Sequence, residues 1–408
     1  MSAVDVLRPQ KPGVGTWLMG QAMAHYGAAF AVLRAVRPKR AVGRTVLVTR
    51  YDDVREVMLA DPDFPVPYHD KLDVIMGGEP FFLGMGDTDL YRRDTAAMRM
   101  AVRPDDIPSR LAPAAAARAE ALAAAAGGRI EVVDLTRAIT FEVLCDYFGV
   151  DAPKDGDLRV WATRLFEFQF ADPGGDPALR REVDVMAPAL RAHVDGLIAA
   201  RKAGAPAKDD VLGRCLGFQA EGRPGFSDLQ IRSALIGFVV GGLPQPPMVA
   251  PQALEQLLRR PDALVGAVRA ALDDDDALVG GHVFEALRFD PLGPALTRHT
   301  AHDHRLAAGS ARSTVVKVGD TVLAGFSSAM MDGRRVADPG RFDPRRPASD
   351  YMHFGYGLHT CFGIHINRAL IPLMLKPLLR RRPRRAAGPA GRLSKRGAFA
   401  DTLWVEYG

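Results

Sequence analysis

Hydrophobic positions along this chain follow two rhythms. Thr45–Thr49 (Thr-Val-Leu-Val-Thr) is a β-branched run and predicts a short strand. Directly after it, Val54, Val57 and Met58 recur at helical spacing within Asp52–Leu59. Asp61–Tyr68 carries three prolines and breaks any helix. Residues 69–86 are mixed in character, with Gly77, Gly78, Gly84 and Gly86, and read as a long loop. From about Tyr91 onward helical periodicity dominates. Ala112–Ala126 is nearly all alanine, a strong helix former, and Gly127-Gly128 stops it. Ile130–Val133 fits a short strand, Pro173–Pro177 a turn between two helices, and Ala203–Ala207 a loop.

Ser227 is an N-cap signal, and the helix it opens runs to Leu258. Its Ala234–Gly242 stretch is apolar on all faces, which predicts a buried, central helix. The helical pattern continues past Pro261 through Val283–Arg288. After Asp290 the character changes. Ser313–Val318 and Thr321–Leu323 predict a hairpin across Gly319-Asp320. Asp338–Tyr351, rich in Pro, Asp and Arg, predicts an irregular meander, and a last helix spans about Cys361 to Arg380. No internal repeat or linker interrupts the chain. The expected fold is mostly α with a small β region, as one domain over residues 1–408. The β-bearing parts lie near 45–50, 313–323 and the C-terminus, and flank a helical middle over 91–290.

Composition narrows the function classes. At 408 residues, 48% hydrophobic and 25% charged, the chain is ordinary globular protein. A net charge of +5 is mild for this length and gives no argument for nucleic acid or a membrane surface. Three scattered cysteines, Cys145, Cys215 and Cys361, make no disulfide framework and fit a reducing compartment. Met1–Gly15 lacks a signal peptide's apolar run. The most apolar windows, Ile236–Gly242 and Ala369–Leu379, are too short for a bilayer. The expectation is a cytoplasmic protein with no membrane span and no nucleic-acid partner.

The chemistry concentrates in Phe354–Gly363, Phe-Gly-Tyr-Gly-Leu-His-Thr-Cys-Phe-Gly. A cysteine at a helix start gains from the positive dipole end and from free N–H groups aimed at its sulfur. Gly355 and Gly357 let the backbone approach a flat cofactor, and Gly363 lets the helix pack against a ring. His359 is placed to reach a carboxylate on the cofactor rim. Two blander readings compete: a buried free cysteine in a Gly-rich turn, and a zinc site from His353, His359, Cys361 and His365.

This segment resembles the heme-binding loop of the cytochrome P450 family, and the resemblance extends over nearly the whole chain. Glu285-Ala286-Leu287-Arg288 matches the family's Glu-x-x-Arg pair, about seventy residues before the cysteine. Asp338–Pro347 resembles the meander, where Arg341 or a neighbour completes a buried ion network. Val48–Val54 and Asp61–Phe64 resemble the N-terminal sheet and helix. The resemblance implies the P450-like fold, heme b as cofactor and Cys361 as the iron ligand. It places Phe354, Gly355 and Gly363 around the cofactor, with His359 and Arg298 on its propionates. Asp87–Arg99 resembles the propionate-binding helix loosely: Tyr91 stands where a His is usual and Thr95 where an Arg is expected. Arg92, Arg93 and Arg99 are the alternative cations.

The central helix departs from the family. Its Gly-Gly-x-acid-Thr pattern aligns with Gly241-Gly242-Leu243-Pro244-Gln245, so Pro244 takes the acid position and Gln245 the alcohol position. Pro246, Pro247 and Pro251 follow, and the helix must kink or open here. Gln245 exchanges hydrogen bonds but supplies no proton at neutral pH. Gly242, Pro244 and Gln245 are therefore the candidate distal residues of an altered oxygen-activating site. The leading implication is a monooxygenase acting on a small lipophilic substrate, with a ferredoxin-type redox partner. The alternatives are a peroxygenase or hydroperoxide-rearranging enzyme needing no redox partner, and a non-catalytic heme-binding sensor.

Overall fold

The computed structural model describes residues 26–36, 39–206 and 208–408. The Met1–Gly15 stretch and Ala207 lie outside them. Helix α1 (Tyr26–Val36) leads into strands β1 (Lys39–Val42) and β2 (Thr45–Val48), then α2 (Tyr51–Leu59) and α3 (His69–Met76). Helices α4 (Asp89–Ala101) and α5 (Ala112–Ala125), strand β3 (Arg129–Glu131), and helices α6 (Val132–Phe148), α7 (Leu158–Phe166), α8 (Pro177–Lys202) and α9 (Val211–Ala220) follow. The centre is α10 (Asp228–Gly242), α11 (Pro246–Leu258), α12 (Pro261–Leu272) and α13 (Asp276–Phe289). Beyond it come β4 (Leu296–His299), β5 (His304–Leu306), β6 (Thr314–Val316), β7 (Thr321–Ala324) and the short α14 (Phe326–Ala329). The chain closes with α15 (Ile364–Arg380), β8 (Arg384–Arg385), β9 (Ser394–Arg396), β10 (Phe399–Thr402) and β11 (Trp404–Glu406).

The protein is mostly α with a small β region. The main sheet has the order β1-β2-β7-β4. Strand β2 pairs in parallel with β7, Thr45 opposite Thr321, so the two ends of the chain meet around the helical middle. The predicted hairpin across Gly319-Asp320 does not form. Strand β6 pairs with β5, and β7 lies between β2 and β4. The turn signal is real, since Gly319 sits at φ +79° and Asp320 N–H bonds Lys317 C=O. The strands it joins find better-buried partners elsewhere: Val322 and Ala324 are fully buried.

Residues 69–76 are helix, not loop. Leu72, Ile75 and Met76 bury one face, and Gly77 closes the helix in the left-handed region at φ 75°. The short strand near residue 130 runs one residue earlier than its pattern suggested, because Val132 already starts α6. The last helix starts at Ile364, three residues after Cys361.

Ser227 caps α10 in a full capping box with Gln230. Ile231, Leu235, Ile236 and Val239 of α10 are fully buried. The Asp228–Leu258 run is long and apolar enough to cross a membrane by length and composition, and 78% of its apolar window is buried inside the protein. It is the core around which the helices pack.

Two hydrophobic clusters form. The larger belongs to the helices. The smaller gathers Val48, Val54, Val57, Phe64, Val316, Val322 and Met352 at the main sheet. Phe362 packs on the first and Tyr356 on the second, so the Phe354–Gly363 loop lies at their junction.

One tie between sheet and helix carries a pH signature. His304 on β5 reaches Asp63 through Nδ1 (2.7 Å) and Glu56 of α2 through Nε2 (3.0 Å). Burial alone lowers its pKa, but hydrogen bonds from Glu56 and Asp63, with their charges, outweigh this and raise it above 6.5. A raised pKa contributes stability that is complete below 6.5 and is lost as pH rises through the folded-state value. Thermal melts across that window are expected to show a decline with rising pH that His304→Gln flattens. An unchanged slope in the variant would refute the assignment.

Candidate active site at the Cys361 loop

The loop is wound so that the cysteine sulfur is presented by backbone alone. Cys361 N–H donates to Phe354 C=O (2.8 Å), and Ile364 N–H donates to Cys361 C=O (3.2 Å). Thr360 Oγ1 donates to Gly357 C=O (2.8 Å). Gly355 and Gly357 both sit at positive φ, 75° and 73°. At Gly357 a Cβ would lie 2.4 Å from Met58 C=O of α2. Gly357 therefore lets the loop approach a helix, not a cofactor. Gly357→Ala is expected to cost about 2 kcal/mol or more, from the left-handed backbone and the clash together. Gly222→Ala is the control. It shares a φ of +73° but has nothing within 4 Å, and should cost only the backbone part. Equal melting losses in the two variants would contradict this reading.

Burial pushes the Cys361 thiol pKa up, and the Gly363 N–H aimed at the sulfur offsets part of that. A desolvated sulfur with one N–H donor and no side-chain base suits a metal-bound thiolate better than a free nucleophile. A Cβ on Gly363 would sit 4.0 Å from Sγ and 3.6 Å from Asn367, so the helix start leaves the sulfur unobstructed. Phe354 packs against Phe284 (5.8 Å between centroids), with Arg368 over its ring.

The candidate cations divide. Arg298 on β4 is 2% exposed. Its Nη1 donates to Thr297 C=O (3.0 Å), the Tyr68 hydroxyl lies beside its guanidinium, and burial draws its pKa down. Among the described residues no carboxylate lies within ion-pair distance of it. His359 is buried, with Nε2 3.2 Å from Asp61 Oδ1 but off the line of a hydrogen bond. The Tyr91 hydroxyl donates to Leu358 C=O (2.7 Å), and its ring meets His359 edge-on at 6.0 Å. Tyr91 thus braces the loop. Arg92 does not face it: it is exposed and pairs with Asp87 (3.0 Å) and Asp89 (2.9 Å). Arg93 pairs with Asp94, while Arg99 lies over the Phe362 ring at 5.6 Å. Tyr68 and Asp61, partners of Arg298 and His359, were not singled out from sequence. Tyr68 sat at the end of a proline-broken stretch with no pattern to mark it.

Of the zinc alternatives, His353 and His365 turn away. His353 Nε2 bonds Phe284 C=O (2.9 Å), and burial lowers its pKa to about 4; His365 is exposed.

Above the loop stands the end of α10. Phe238 stacks on Phe362 at 5.3 Å, joining the central helix to the residue after Cys361. A Cβ on Gly241 or Gly242 would meet nothing within 4 Å, although the rest of the helix is packed. The helix opens over Leu243–Gln245, and α11 restarts with Pro246 and Pro247 in its first turn, where the missing N–H groups cost little. Only Pro251 is interior. Pro244 is buried, and Gln245 is half-buried with no side-chain hydrogen bond among the described residues.

The Glu285–Arg288 pair is bidentate (2.8 and 2.7 Å) with both side chains fully buried. The third member is Arg346, not Arg341. Arg346 Nε donates to Glu285 Oε1 at 3.1 Å, while Arg341 contributes only its carbonyl. Tyr351, also missed, donates its hydroxyl to Glu285 (3.1 Å).

No family model matches the chain. Among curated proteins it is 27% identical to a vitamin D(3) 25-hydroxylase of Pseudonocardia autotrophica, over 83% of this chain and 82% of that protein. It is 28% identical to the cytochrome P450 monooxygenase PikC of Streptomyces venezuelae, over 87% of this chain and 83% of that protein. A bifunctional dioxygenase–epoxy alcohol synthase of Pyricularia oryzae is 32% identical over 47% of this chain; the chain spans only 17% of its length. Cytochrome P450 107B1 of Saccharopolyspora erythraea is matched over 61% of its length. Among solved structures, ligand-free cytochrome P450 TbtJ1 superposes with a TM-score of 0.77 at 23% identity, covering 94% of this chain and 98% of that one. That last likeness is one of fold.

The chain belongs to the cytochrome P450 family. Heme b is the cofactor of this fold, and the donor set of this P450 suits it. Cys361 offers an unobstructed, desolvated sulfur, and Arg298 is a buried cation with guanidinium donors to spare. The open face at Gly241 and Gly242 leaves room on the opposite side.

Proposed function

We propose that this P450 is a heme-thiolate monooxygenase that inserts oxygen into a small lipophilic substrate. The backbone-presented Cys361 sulfur carries that reading. Cys361 would ligate the iron, with Arg298 and His359 holding the cofactor's carboxylates. When bound, heme supplies the dioxygen chemistry, and a thiolate ligand favours O–O cleavage.

The chain's own groups do the rest. The Gly363 N–H tempers the charge on Sγ. Phe354, packed against Phe284, and Phe362, packed against Phe238, put apolar rings beside the cysteine in the loop. Gly241 and Gly242 leave space for substrate beside α10. Pro244 and Gln245 hold no ionisable proton, so protons must travel on water, oriented by the Gln245 amide. A ferredoxin-type electron donor and a cytoplasmic setting complete the proposal.

One observation favours a second reading, the hydroperoxide-transforming enzyme. The α10–α11 break removes both acid and alcohol, and a substrate whose O–O bond is already reduced needs less proton delivery. The match to a protein named as an epoxy alcohol synthase runs the same way.

The test uses heme-loaded protein and a lipophilic test substrate. Product should require dioxygen together with NADPH, ferredoxin and ferredoxin reductase. Fast product formation from a fatty-acid hydroperoxide without dioxygen or reductant, and none with them, would overturn the monooxygenase reading in favour of the second.

A further inference from the structure

Helix α7 does not end cleanly at Phe166. It widens into a single π-helical turn, Glu167–Ala171. Such turns are costly and cluster at functional sites. Lys71 of α3 holds the turn, its Nζ donating to Phe168 C=O and Asp172 C=O (2.6 Å each). Inside the turn, Gln169 is 6% exposed, and neither its Oε1 nor its Nε2 has a hydrogen-bond partner among the described residues.

A buried amide with both ends unsatisfied carries an uncompensated desolvation penalty at each orphaned group. Leucine or methionine would fill a similar volume without that cost. Aromatic rings pack on both sides of the turn. Phe166, three residues before Gln169, meets Phe170 at 4.9 Å and Phe399 of β10 at 6.0 Å. Phe170 meets Tyr68 at 5.4 Å, and the Tyr68 hydroxyl lies beside the Arg298 guanidinium. A continuous aromatic wall therefore links the Gln169 turn to the buried arginine of the active site. Gln169 is the buried, unpaired polar group of that turn.

We propose that Gln169 recognises the substrate, and that the substrate is a lipophilic lactam. This rests on the heme-thiolate reading above. An amide that lacks both a donor and an acceptor partner is satisfied by a ligand offering both side by side. A cis amide does so, pairing its N–H with Oε1 and its C=O with Nε2. A ketone or lactone leaves Oε1 unpaired. An ionised carboxylate brings charge among Phe166, Phe170 and Phe399, next to Glu167. The apolar body of the ligand lies along the rings.

The test is calorimetric titration of the heme-loaded full chain with a hexyl-substituted δ-lactam and the hexyl-substituted δ-lactone of the same shape. The lactam should bind about tenfold more tightly. Gln169→Leu and Gln169→Met should each abolish that preference, and each should melt above the native protein when no ligand is present. A residue with a merely structural role would melt lower on substitution. Equal or absent binding of the two probes by the native protein overturns the proposal. So does a preference retained in both variants, or a lower melting temperature in both. The carbon-monoxide spectrum of the same samples reads thiolate ligation independently. Its absence alongside an intact lactam preference would sink the heme-thiolate reading and leave Gln169 standing.

Discussion

Cys361→Ser is expected to abolish the proposed oxygenation, by more than about 100-fold, and to leave a folded chain. Both halves follow from how the sulfur is held. The loop closes through backbone groups, Cys361 to Phe354 and Ile364 to Cys361, and through the left-handed glycines at 355 and 357. None of these contacts uses Sγ. Serine is smaller and keeps the backbone bonds, so melting should fall only slightly. What is lost is the soft, electron-donating ligand, which a hydroxyl does not replace. The other thiols offer no substitute. Burial pushes Cys145 and Cys215 up to about 12, so neither is a thiolate near neutrality. The carbon-monoxide spectrum, product yield and melting temperature of the variant check the claim. A thiolate-type spectrum or native-level turnover in Cys361→Ser would remove Cys361 from the centre of the mechanism.

The sequence was most legible where local signals and tertiary partners agree. Ser227, Gly127-Gly128 and the Thr45–Thr49 run each specify a cap, a stop or a strand within a few residues. The helix break at Leu243–Gln245 was legible for the same reason, since proline acts on its own turn. It was legible in kind but not in cost. Pro246 and Pro247 escape the interior penalty by becoming the first turn of α11. Failures came where distant partners decide. The Gly319-Asp320 turn predicted a hairpin, yet β7 belongs between β2 and β4, strands supplied from both sides of the helical middle. Helix α3 carries only Leu72, Ile75 and Met76 as a buried face, too little pattern among four nearby glycines. At the site, Cys361 was legible because the loop's chemistry is contiguous. Tyr68, Asp61 and Gln169 were not, because each acquires meaning from a residue far away in the chain.

The buried ion network shows the same limit and yields the largest expected effect on stability. Arg288→Met should destabilise the protein by about 3–5 kcal/mol, enough to prevent recovery of folded, heme-loaded protein. The number reflects what remains. Glu285 would stay fully buried with Arg346, the Tyr351 hydroxyl and the Asp343 N–H, having lost both bonds of its bidentate partner. The carbonyls of Met330 and Pro339 would lose this donor as well, and that of Arg341 would keep only Arg346. The Pro339 and Arg341 carbonyls belong to the meander that leads into the Cys361 loop, so the damage reaches the active site. Positions 341 and 346 separate side-chain from backbone roles. Arg346→Ala removes a buried guanidinium, 4% exposed, that bonds Glu285 and three backbone carbonyls, and should approach the Arg288 variant in severity. Arg341→Ala keeps the carbonyl that both buried arginines use, and should change the melting temperature little. Denaturant melts of the three variants decide the matter. Severe loss in Arg341→Ala with a mild effect in Arg346→Ala would restore the assignment made from the sequence pattern and reverse the one drawn from the geometry.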